Sequence, residues 1–203
     1  MRIVDKKDIR SAVITGLTTG VIGWRGLAFL GQTLPAGIDP IILVPLVPIL
    51  WVAGVQLGYF LSMFFRPFGQ FGRFACIGFA NAAVDFGVLY TLIGLTGVAE
   101  GTSFSLFKAI SFSFAVVHSY LWNKYWAFEA VHTLGDNREL LSFIGVSLAS
   151  LVVNVGVASL VVAARPGSFD AASWAGISAI VGSAVSLIFS FTGFRVFVFR
   201  KKG

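Results

Sequence analysis

The stretch that decides the fold occurs twice, as FACIGFANAAVDFGVLY at residues 74–90 and as FIGVSLASLVVNVGVAS at residues 143–159. Aligned without gaps, the two copies share their first phenylalanine and a central glycine, and Asp85 lies over Asn154. A membrane-spanning helix needs about 20 mainly apolar residues, and each copy supplies most of one. The chain therefore carries a duplicated membrane segment.

A second pair of similar stretches follows the first. SYLWNKYWAF at residues 119–128 matches SFTGFRVFVF at residues 190–199, so that Lys124 lies over Arg195. The resulting period is about 70 residues, which corresponds to two hydrophobic spans per repeat rather than to a soluble solenoid unit.

The two predicted repeats are parallel. Repeat A covers residues 71–130 and repeat B covers residues 140–203. Each contains an even number of spans, so both enter the membrane from the same side, unlike inverted repeats. Duplicated span pairs are a common way to build a transport path between two halves of a protein.

The composition requires a membrane. The chain has 203 residues, of which 57% are hydrophobic and 12% charged, and its mean hydropathy is +0.88. Such a chain has too little polar surface for a soluble domain, so we predict an all-α integral membrane protein, a bundle of about six transmembrane helices. The predicted spans are residues 12–30, 41–65, 73–93, 104–122, 140–163 and 174–194.

The first 65 residues do not match the repeat. We predict a two-helix extension over residues 1–65, followed by a four-helix domain over residues 66–203. Pro45 and Pro48 should kink the second span or keep its outer end irregular. The first span resembles a signal peptide, but it lacks a small-residue cleavage site, so we expect it to be retained.

Small residues predict where helices pack closely. Ser150 and Asn154 share one face of the fifth span, and Gly182 and Ser186 share one face of the sixth. Such faces typically let membrane helices approach closely, with serine hydroxyls bonded across the contact.

The net charge of +6 is distributed as in an inner-membrane protein, not as in a nucleic-acid-binding protein. Most lysines and arginines fall on one side if every span crosses once, which predicts a multi-pass protein of the cytoplasmic membrane with both termini in the cytoplasm. The basic residues on that side are Arg2, Lys6, Lys7, Arg10, Arg66, Arg73, Lys124, Arg138, Arg195, Arg200, Lys201 and Lys202. We assign them to topology and to contact with membrane lipids.

Enzymatic, metal and redox chemistry find little support in the sequence. Cys76 is the single cysteine, and the two histidines, His118 and His132, are too few and too far apart for a metal site. A P-loop, a nucleophile elbow and a paired catalytic carboxylate are also missing. We therefore expect a non-enzyme without a cofactor.

From residue 71 onward, the chain resembles the GtrA-like family of small membrane proteins. The resemblance rests on FGRFACIGFANAAVDFGVLY with Asn81 and Asp85, on NKYWAF and on FRVFVF, and it covers about two thirds of the chain. It implies four spans and a role in cell-envelope polysaccharide synthesis, either moving polyprenyl-phosphate-linked sugars across the membrane or supporting a glycosyltransferase. The first hairpin departs from this four-span plan.

Ionisable side chains inside spans are candidates for function because they are costly to bury there. At 1.5 Å per residue, Arg25, Asp85, Lys108 and Asn154 should lie in one layer about 17 to 21 Å from the cytoplasmic end. They would form a pocket for a lipid phosphate or its sugar, with Asn81 one turn from Asp85. Alternatively, Asp85 simply pairs with Arg25 or Lys108 and locks the bundle.

Two of these candidates have alternatives of their own. Arg25 follows Trp24 and could instead extend toward the outer headgroups. His118 lies nearer the cytoplasmic end, where we expect it to hydrogen-bond within the bundle, with a proton relay as the lesser option.

The two aromatic endings belong at the cytoplasmic interface. Asn123 and Lys124 are candidates for capturing a phosphate headgroup, and Arg195 is the matching candidate in repeat B. The alternative is an ordinary anchor of aromatic and basic residues, which we favour for Arg195 and for aromatic neighbours such as Trp126.

The sequence thus favours a translocase for a polyprenyl-phosphate-linked sugar. A membrane scaffold that positions a glycosyltransferase is the second hypothesis, and a transporter of cationic drugs that uses Asp85 is the third. Lys108 and Arg25 would repel a cation, which counts against the third. A polyprenyl-phosphate lipid is the expected substrate, a glycosyltransferase and a second copy of the chain are the protein partners considered, and nucleic acid is not expected.

Overall fold

The computed structural model describes residues 5–130, 137–168 and 170–199, without the side chains of residues 172 and 173. Several residues named above lie outside this part of the chain: Arg2, His132, Arg200, Lys201 and Lys202.

Six helices in the described part are long and apolar enough to cross a membrane, and that part contains no strand. The predicted all-α polytopic membrane protein is thereby confirmed. The helices are α1 (Lys6–Phe29), α2 (Leu43–Leu61), α3 (Phe68–Thr96), α4 (Gly101–Trp122), α5 (Asn137–Ala163) and α6 (Ala171–Gly193). Two short 3-10 turns, Pro35–Gly37 and Pro40–Ile42, lie between α1 and α2.

The helix ends follow local chemistry. Asp5 caps α1 by accepting a hydrogen bond from the backbone N–H of Asp8 at 2.7 Å, since the first N–H groups of a helix have no partner within it. At the other extreme, α3 stops at Gly97, whose φ of 69° is a left-handed conformation that glycine adopts without strain.

The proline-rich start of the second span is irregular, as the sequence predicts. Pro40 opens a 3-10 turn whose N-cap, Asp39, accepts from the backbone N–H of Ile41 at 2.9 Å. Helix α2 then begins at Leu43 and accommodates Pro48 in its interior.

The chain divides into two compact units, residues 1–129 and 130–203. In the first unit, glycines bring α1 and α2 into close contact. A Cβ added at Gly16 would lie 2.5 Å from Cα of Pro48, and one at Gly20 would lie 2.3 Å from the carbonyl oxygen of Leu43. The boundary predicted between the extension and the four-helix domain stays a prediction.

The second unit packs α5 against α6 through small residues. The Ser186 hydroxyl donates to the Ser150 carbonyl at 2.7 Å, and a Cβ at Gly182 would lie 2.7 Å from the Asn154 carbonyl oxygen. The predicted packing face of these spans is confirmed.

Both repeats end in the same unusual backbone feature, a single π-helical turn. Asn123–Ala127 continues α4, and Phe194–Val198 continues α6. Each is closed by a hydrogen bond between residues five apart, from Phe128 N to Asn123 O at 2.9 Å and from Phe199 N to Phe194 O at 2.7 Å. Since π-turns are rare, their occurrence at aligned positions supports the duplication.

Each π-turn is followed by a phenylalanine that packs against the first helix of the same repeat, α3 in repeat A and α5 in repeat B. The ring centroids of Phe74 and Phe128 lie 6.1 Å apart in the first unit, and those of Phe143 and Phe199 lie 6.2 Å apart in the second. All four residues are buried. The two repeats therefore close their helical hairpins with the same aromatic contact.

Candidate functional site

An ion pair joins α3 to α4 within the span. The Lys108 ammonium donates to Oδ2 of Asp85, and the Ser111 hydroxyl donates to Oδ1 of the same carboxylate at 2.6 Å. Lys108 and Ser111 are three residues apart on α4, so both side chains reach Asp85 from one helical face. Of the two partners that the sequence offered to Asp85, the structure selects Lys108.

In this ion pair, Lys108 is the partner that keeps the capacity to bind a further group. The Asp85 side chain is 20% exposed and Ser111 is fully buried, whereas the Lys108 side chain is 45% exposed. An ammonium has three N–H donors, so Lys108 can bind an anion while it still holds Asp85. The Asp85 charge is already neutralised, which makes a site for a cationic substrate a poor fit.

Arg25 does not join this cluster. Its guanidinium lies 5.6 Å from the centroid of the Trp24 ring, and within the described residues it forms no ion pair. Arg25 instead lines a cavity of about 930 Å³ between α1, α3 and α4. Direct contacts therefore join Asp85 to Lys108 but do not include Arg25.

Asn123 and Lys124 are buried in the π-turn of α4. The Asn123 amide donates to the Ser119 carbonyl at 2.8 Å, and the Lys124 ammonium donates to the Tyr120 hydroxyl at 3.1 Å and lies 5.4 Å from the centre of that ring. Both residues are at most 2% exposed. They lie inside the bundle rather than on the headgroup surface where the sequence placed them.

Five polar residues of the first unit, including Trp51 and Arg73, have a buried side-chain atom without a hydrogen-bond partner in the described part of the chain, and three of these atoms belong to candidate site residues. These three atoms are Oδ1 of Asn81, Oδ1 of Asn123 and Nδ1 of His118. The His118 ring lies 6.3 Å from the Trp122 ring, and its Nδ1 has no hydrogen-bond partner among the described residues. Buried amide oxygens normally accept a hydrogen bond, so both asparagines can accept one from a ligand hydroxyl.

The corresponding positions of repeat B are uncharged or exposed. Asn154, which aligns with Asp85, donates to the Ser183 hydroxyl at 3.3 Å. Arg195, which aligns with Lys124, is exposed. The buried charged groups of the candidate site therefore belong to repeat A.

A larger polar network was missed by the sequence analysis. Asp8, 1% exposed, accepts from the Tyr59 hydroxyl on one oxygen and from the Trp126 indole N–H at 2.8 Å on the other. Arg73 donates to the Trp126 carbonyl at 3.0 Å and to Glu129 at 2.9 Å, and it lies 3.5 Å from Asp8. Four separate segments of the first unit meet at this network.

The signal for this network was present but was assigned to topology. Arg73 counted as one of the basic residues that set orientation, and Asp8 stands among basic neighbours in KKDIR. An acid in the first turn of a span, with an arginine and a tryptophan at the same side of the membrane, could have indicated a buried ion pair. Trp126 is 1% exposed, which corrects its assignment as an ordinary interfacial anchor.

No group of three or more histidine, cysteine, aspartate or glutamate side chains within the described ranges is placed to hold a metal ion. The candidate site consists instead of hydrogen-bond donors and acceptors along α4 and the π-turn that follows it. Its polar groups run from Lys108 and Ser111, through His118, to Asn123 and Lys124.

The chain is similar in sequence to known membrane proteins. Residues 73–199 match the family described as "GtrA/DPMS, transmembrane domain". The chain is 32% identical over 79 residues to the "Uncharacterized membrane protein YngA" of Bacillus subtilis (strain 168), a match that covers 39% of this chain and 49% of that protein. The chain thus spans about half the length of this relative. No solved structure matches the chain.

Proposed function

Because the chain belongs to the GtrA/DPMS transmembrane-domain family, we propose that it is a translocase for a polyprenyl phosphate or a polyprenyl-phosphate-linked sugar in cell-envelope polysaccharide synthesis. Family membership supports the coarser role, the handling of polyprenyl-linked sugars by a multi-pass membrane protein. The protein performs no covalent chemistry in this proposal.

The polar face of α4 is the observation that carries the proposal. Lys108 and Asn123 are 15 residues apart, or about 22 Å along an α-helix, which is most of a hydrocarbon core of about 30 Å. Ser111 and Asn123 are buried, and His118 is half-buried between them. Ionisable side chains within a membrane span, here Lys108 and His118, are costly to bury and typically mark substrate and ion pathways.

Each group has a role set by its chemistry. Asn123 and Lys124, which are at most 2% exposed, bind the phosphate and first sugar hydroxyls near the cytoplasmic end when the packing around them opens, and Lys108 binds the phosphate farther along. Asp85 holds Lys108 in place, while Asn81 supplies an acceptor one turn from Asp85. The prenyl chain stays in the lipid, because moving it through a polar path would lose its favourable burial.

The setting of the protein is part of the proposal. Both termini lie in the cytoplasm and the membrane is the cytoplasmic one, as the distribution of basic residues indicates. A second copy of the chain would enclose the polar path from the open side of Lys108, whose side chain is 45% exposed.

One observation favours the alternative, a membrane scaffold that positions a partner glycosyltransferase. Both Asp85 oxygens already have donors within the chain, as in a cluster that only locks two helices together. In that case the ion pair contributes stability and no substrate binding.

A charge-removal cycle separates the two functions. Purified protein in liposomes is assayed for movement of a fluorescent polyprenyl-phosphate sugar, using wild type, Asp85→Asn, Lys108→Gln and the double variant. Each single change should lower stability by about 1–3 kcal/mol, because it leaves a charged group without its partner. The double variant should recover that stability but remain inactive, because Lys108 is the phosphate ligand.

Recovery of both stability and transport in the double variant would show that the pair is only a lock. Absence of transport by the wild type, together with co-purification of a glycosyltransferase, would favour the scaffold. Arg195→Gln serves as the matched control, since this exposed repeat-B residue should tolerate loss of its charge with near-normal transport.

A further inference from the structure

The cavity beside Arg25 has a mainly apolar wall. Helix α1 forms one side with residues such as Val21 and Leu27, and α3 and α4 form the other with Val88 and Phe114. Its volume is about 930 Å³, and among the described residues that line it Arg25 is the only charged one. Such a chamber matches an amphiphile with one anionic group and an apolar chain.

Arg25 itself is ready to bind an anion. The side chain is exposed, and the guanidinium contacts the Trp24 ring but makes no hydrogen bond or ion pair within the described part of the chain. A guanidinium carries five N–H donors in a planar fork that matches phosphate. An arginine within a membrane span normally pairs with another group, and none of the described residues supplies a carboxylate to Arg25.

The cavity adjoins the polar cluster of the first unit. Val84 and Ile110 line it, and they directly precede Asp85 in α3 and Ser111 in α4. A lipid whose phosphate leaves Lys108 is therefore next to the cavity. This continuity favours the transported lipid over an unrelated bilayer phospholipid as the occupant.

The extension creates this cavity. Helix α1 ends at Phe29 and lies outside the matched residues 73–199, whereas α3 and α4 belong to them. Ile22 and Phe29 approach α3 at Gly87 and Gly94, where an added Cβ would lie 2.8 Å and 3.2 Å from their side chains. The family domain by itself would have no wall and no arginine at this place.

We propose that this cavity is a second binding site for the transported lipid, with the lipid phosphate on Arg25 and the first part of the prenyl chain between α1, α3 and α4. This second site rests on the proposed function and adds a further binding step to it. The lipid phosphate then binds Lys108 first and Arg25 second. The extension supplies this second site near the C-terminal end of α1. A consuming reaction on that side, a glycosyl transfer to an acceptor hydroxyl, would leave polyprenyl phosphate as the second product.

The chain offers a way to fill the cavity without disturbing the helices. Gly26 lines the cavity, and a Cβ added there meets no atom within 4 Å. Gly26→Leu should therefore place a side chain in the open volume while favouring the helix. Ala53→Leu is the matched control, because Ala53 is exposed on α2 and outside the cavity lining.

The test is photolabelling in nanodiscs of phosphatidylcholine. The probe is a long-chain polyprenyl phosphate with a diazirine in its first isoprene units, and labelled residues are mapped by mass spectrometry. Label should appear on α1 and α3 residues that line the cavity. Arg25→Gln should lower the labelling roughly tenfold, which corresponds to the loss of one charge-assisted hydrogen bond. Gly26→Leu should lower it to a similar extent because its side chain fills the cavity. Arg25→Lys and Ala53→Leu should retain most of the labelling.

Unchanged labelling in Arg25→Gln would overturn the proposal, as would equal labelling by a diazirine-bearing phosphatidylglycerol, which would make the cavity a general phospholipid site. Transport is measured on the same preparations. Transport by a wild type whose cavity is unlabelled would remove the second site and leave the proposed function standing. Specific labelling without transport would support the lipid site and overturn translocation. Thermal unfolding of each variant establishes that it is folded.

Discussion

At the scale of single residues, the Asp8 carboxylate connects four segments of the first unit. Its carboxylate receives hydrogen bonds from Tyr59 of α2 and from Trp126 of the π-turn, and Arg73 of α3 lies 3.5 Å away. A buried carboxylate of this kind is tolerated only when it is paired and hydrogen-bonded. One side chain of α1 therefore fixes the position of three other segments.

Removing the Asp8 charge should destabilise the protein strongly. We expect Asp8→Asn to lower the free energy of unfolding by about 3–5 kcal/mol, because the buried Arg73 loses the buried carboxylate 3.5 Å away and keeps only Glu129, whose side chain is 46% exposed. The measurement is thermal or denaturant unfolding in a mild detergent. Lys7→Ala is the neighbouring control: its exposed contact with Glu129, at 3.7 Å, should contribute less than about 1 kcal/mol. Equal effects of the two changes would contradict a buried network.

Residue-level prediction from the sequence was uneven for physical reasons. Asp85 and Lys108 stand out because each is an isolated charge within an apolar span, and one of the two pairings considered for them was found. Asp8 and Arg73 lie at span ends, where charges are ordinary, so the sequence does not distinguish a buried pair from a solvated one. The burial of Lys124 depends on the π-turn, which changes the direction of side chains that follow Trp122.

At the scale of elements, glycines decide how closely the helices approach. Gly182 of α6 faces the Asn154 carbonyl and the Ala158 side chain, and a Cβ there would lie 2.7 Å and 2.9 Å from them. Gly176, on the same helix, has no atom within 4 Å of the corresponding position. One glycine is thus required by packing, while the other is not.

The two glycines should respond to alanine in opposite directions. Gly182→Ala should destabilise the α5–α6 hairpin by about 1–3 kcal/mol through overpacking, whereas Gly176→Ala should be neutral or stabilise it by up to about 1 kcal/mol through helix propensity. The midpoint of thermal unfolding, followed by circular dichroism in detergent, reports both. A similar loss at both positions would show that backbone flexibility, not close contact, explains Gly182.

Helical spans were predictable and their irregular ends were only partly so. A run of about 20 apolar residues must be helical in a bilayer, because every backbone group needs an internal partner. The proline-bearing start of α2 also follows from the missing N–H of proline. The π-turns at Asn123–Ala127 and Phe194–Val198 have no such signal, since NKYWA and FRVFV are compatible with an ordinary helix.

At the scale of the whole molecule, the odd connections between spans should lie on the opposite side of the membrane from the even ones. Cys76 is buried and is the single cysteine, so a Cys76→Ser background allows clean labelling. We expect a membrane-impermeant thiol reagent to label Gln32→Cys and Gly167→Cys in intact cells, and to label Lys7→Cys only after the membrane is opened. Labelling of Lys7→Cys in intact cells would reverse the assigned orientation.

The Asp8 network also constrains the order in which this protein is made. Asp8 leaves the ribosome before the other members of its network, and its indole donor, Trp126, is 118 residues farther along the chain. At about 5–20 residues per second, that interval is on the order of ten seconds. During this interval Tyr59 and then Arg73 are synthesised and become available to Asp8, while the indole donor is still missing. The network around Asp8 is therefore complete only after the π-turn that follows the fourth span has emerged.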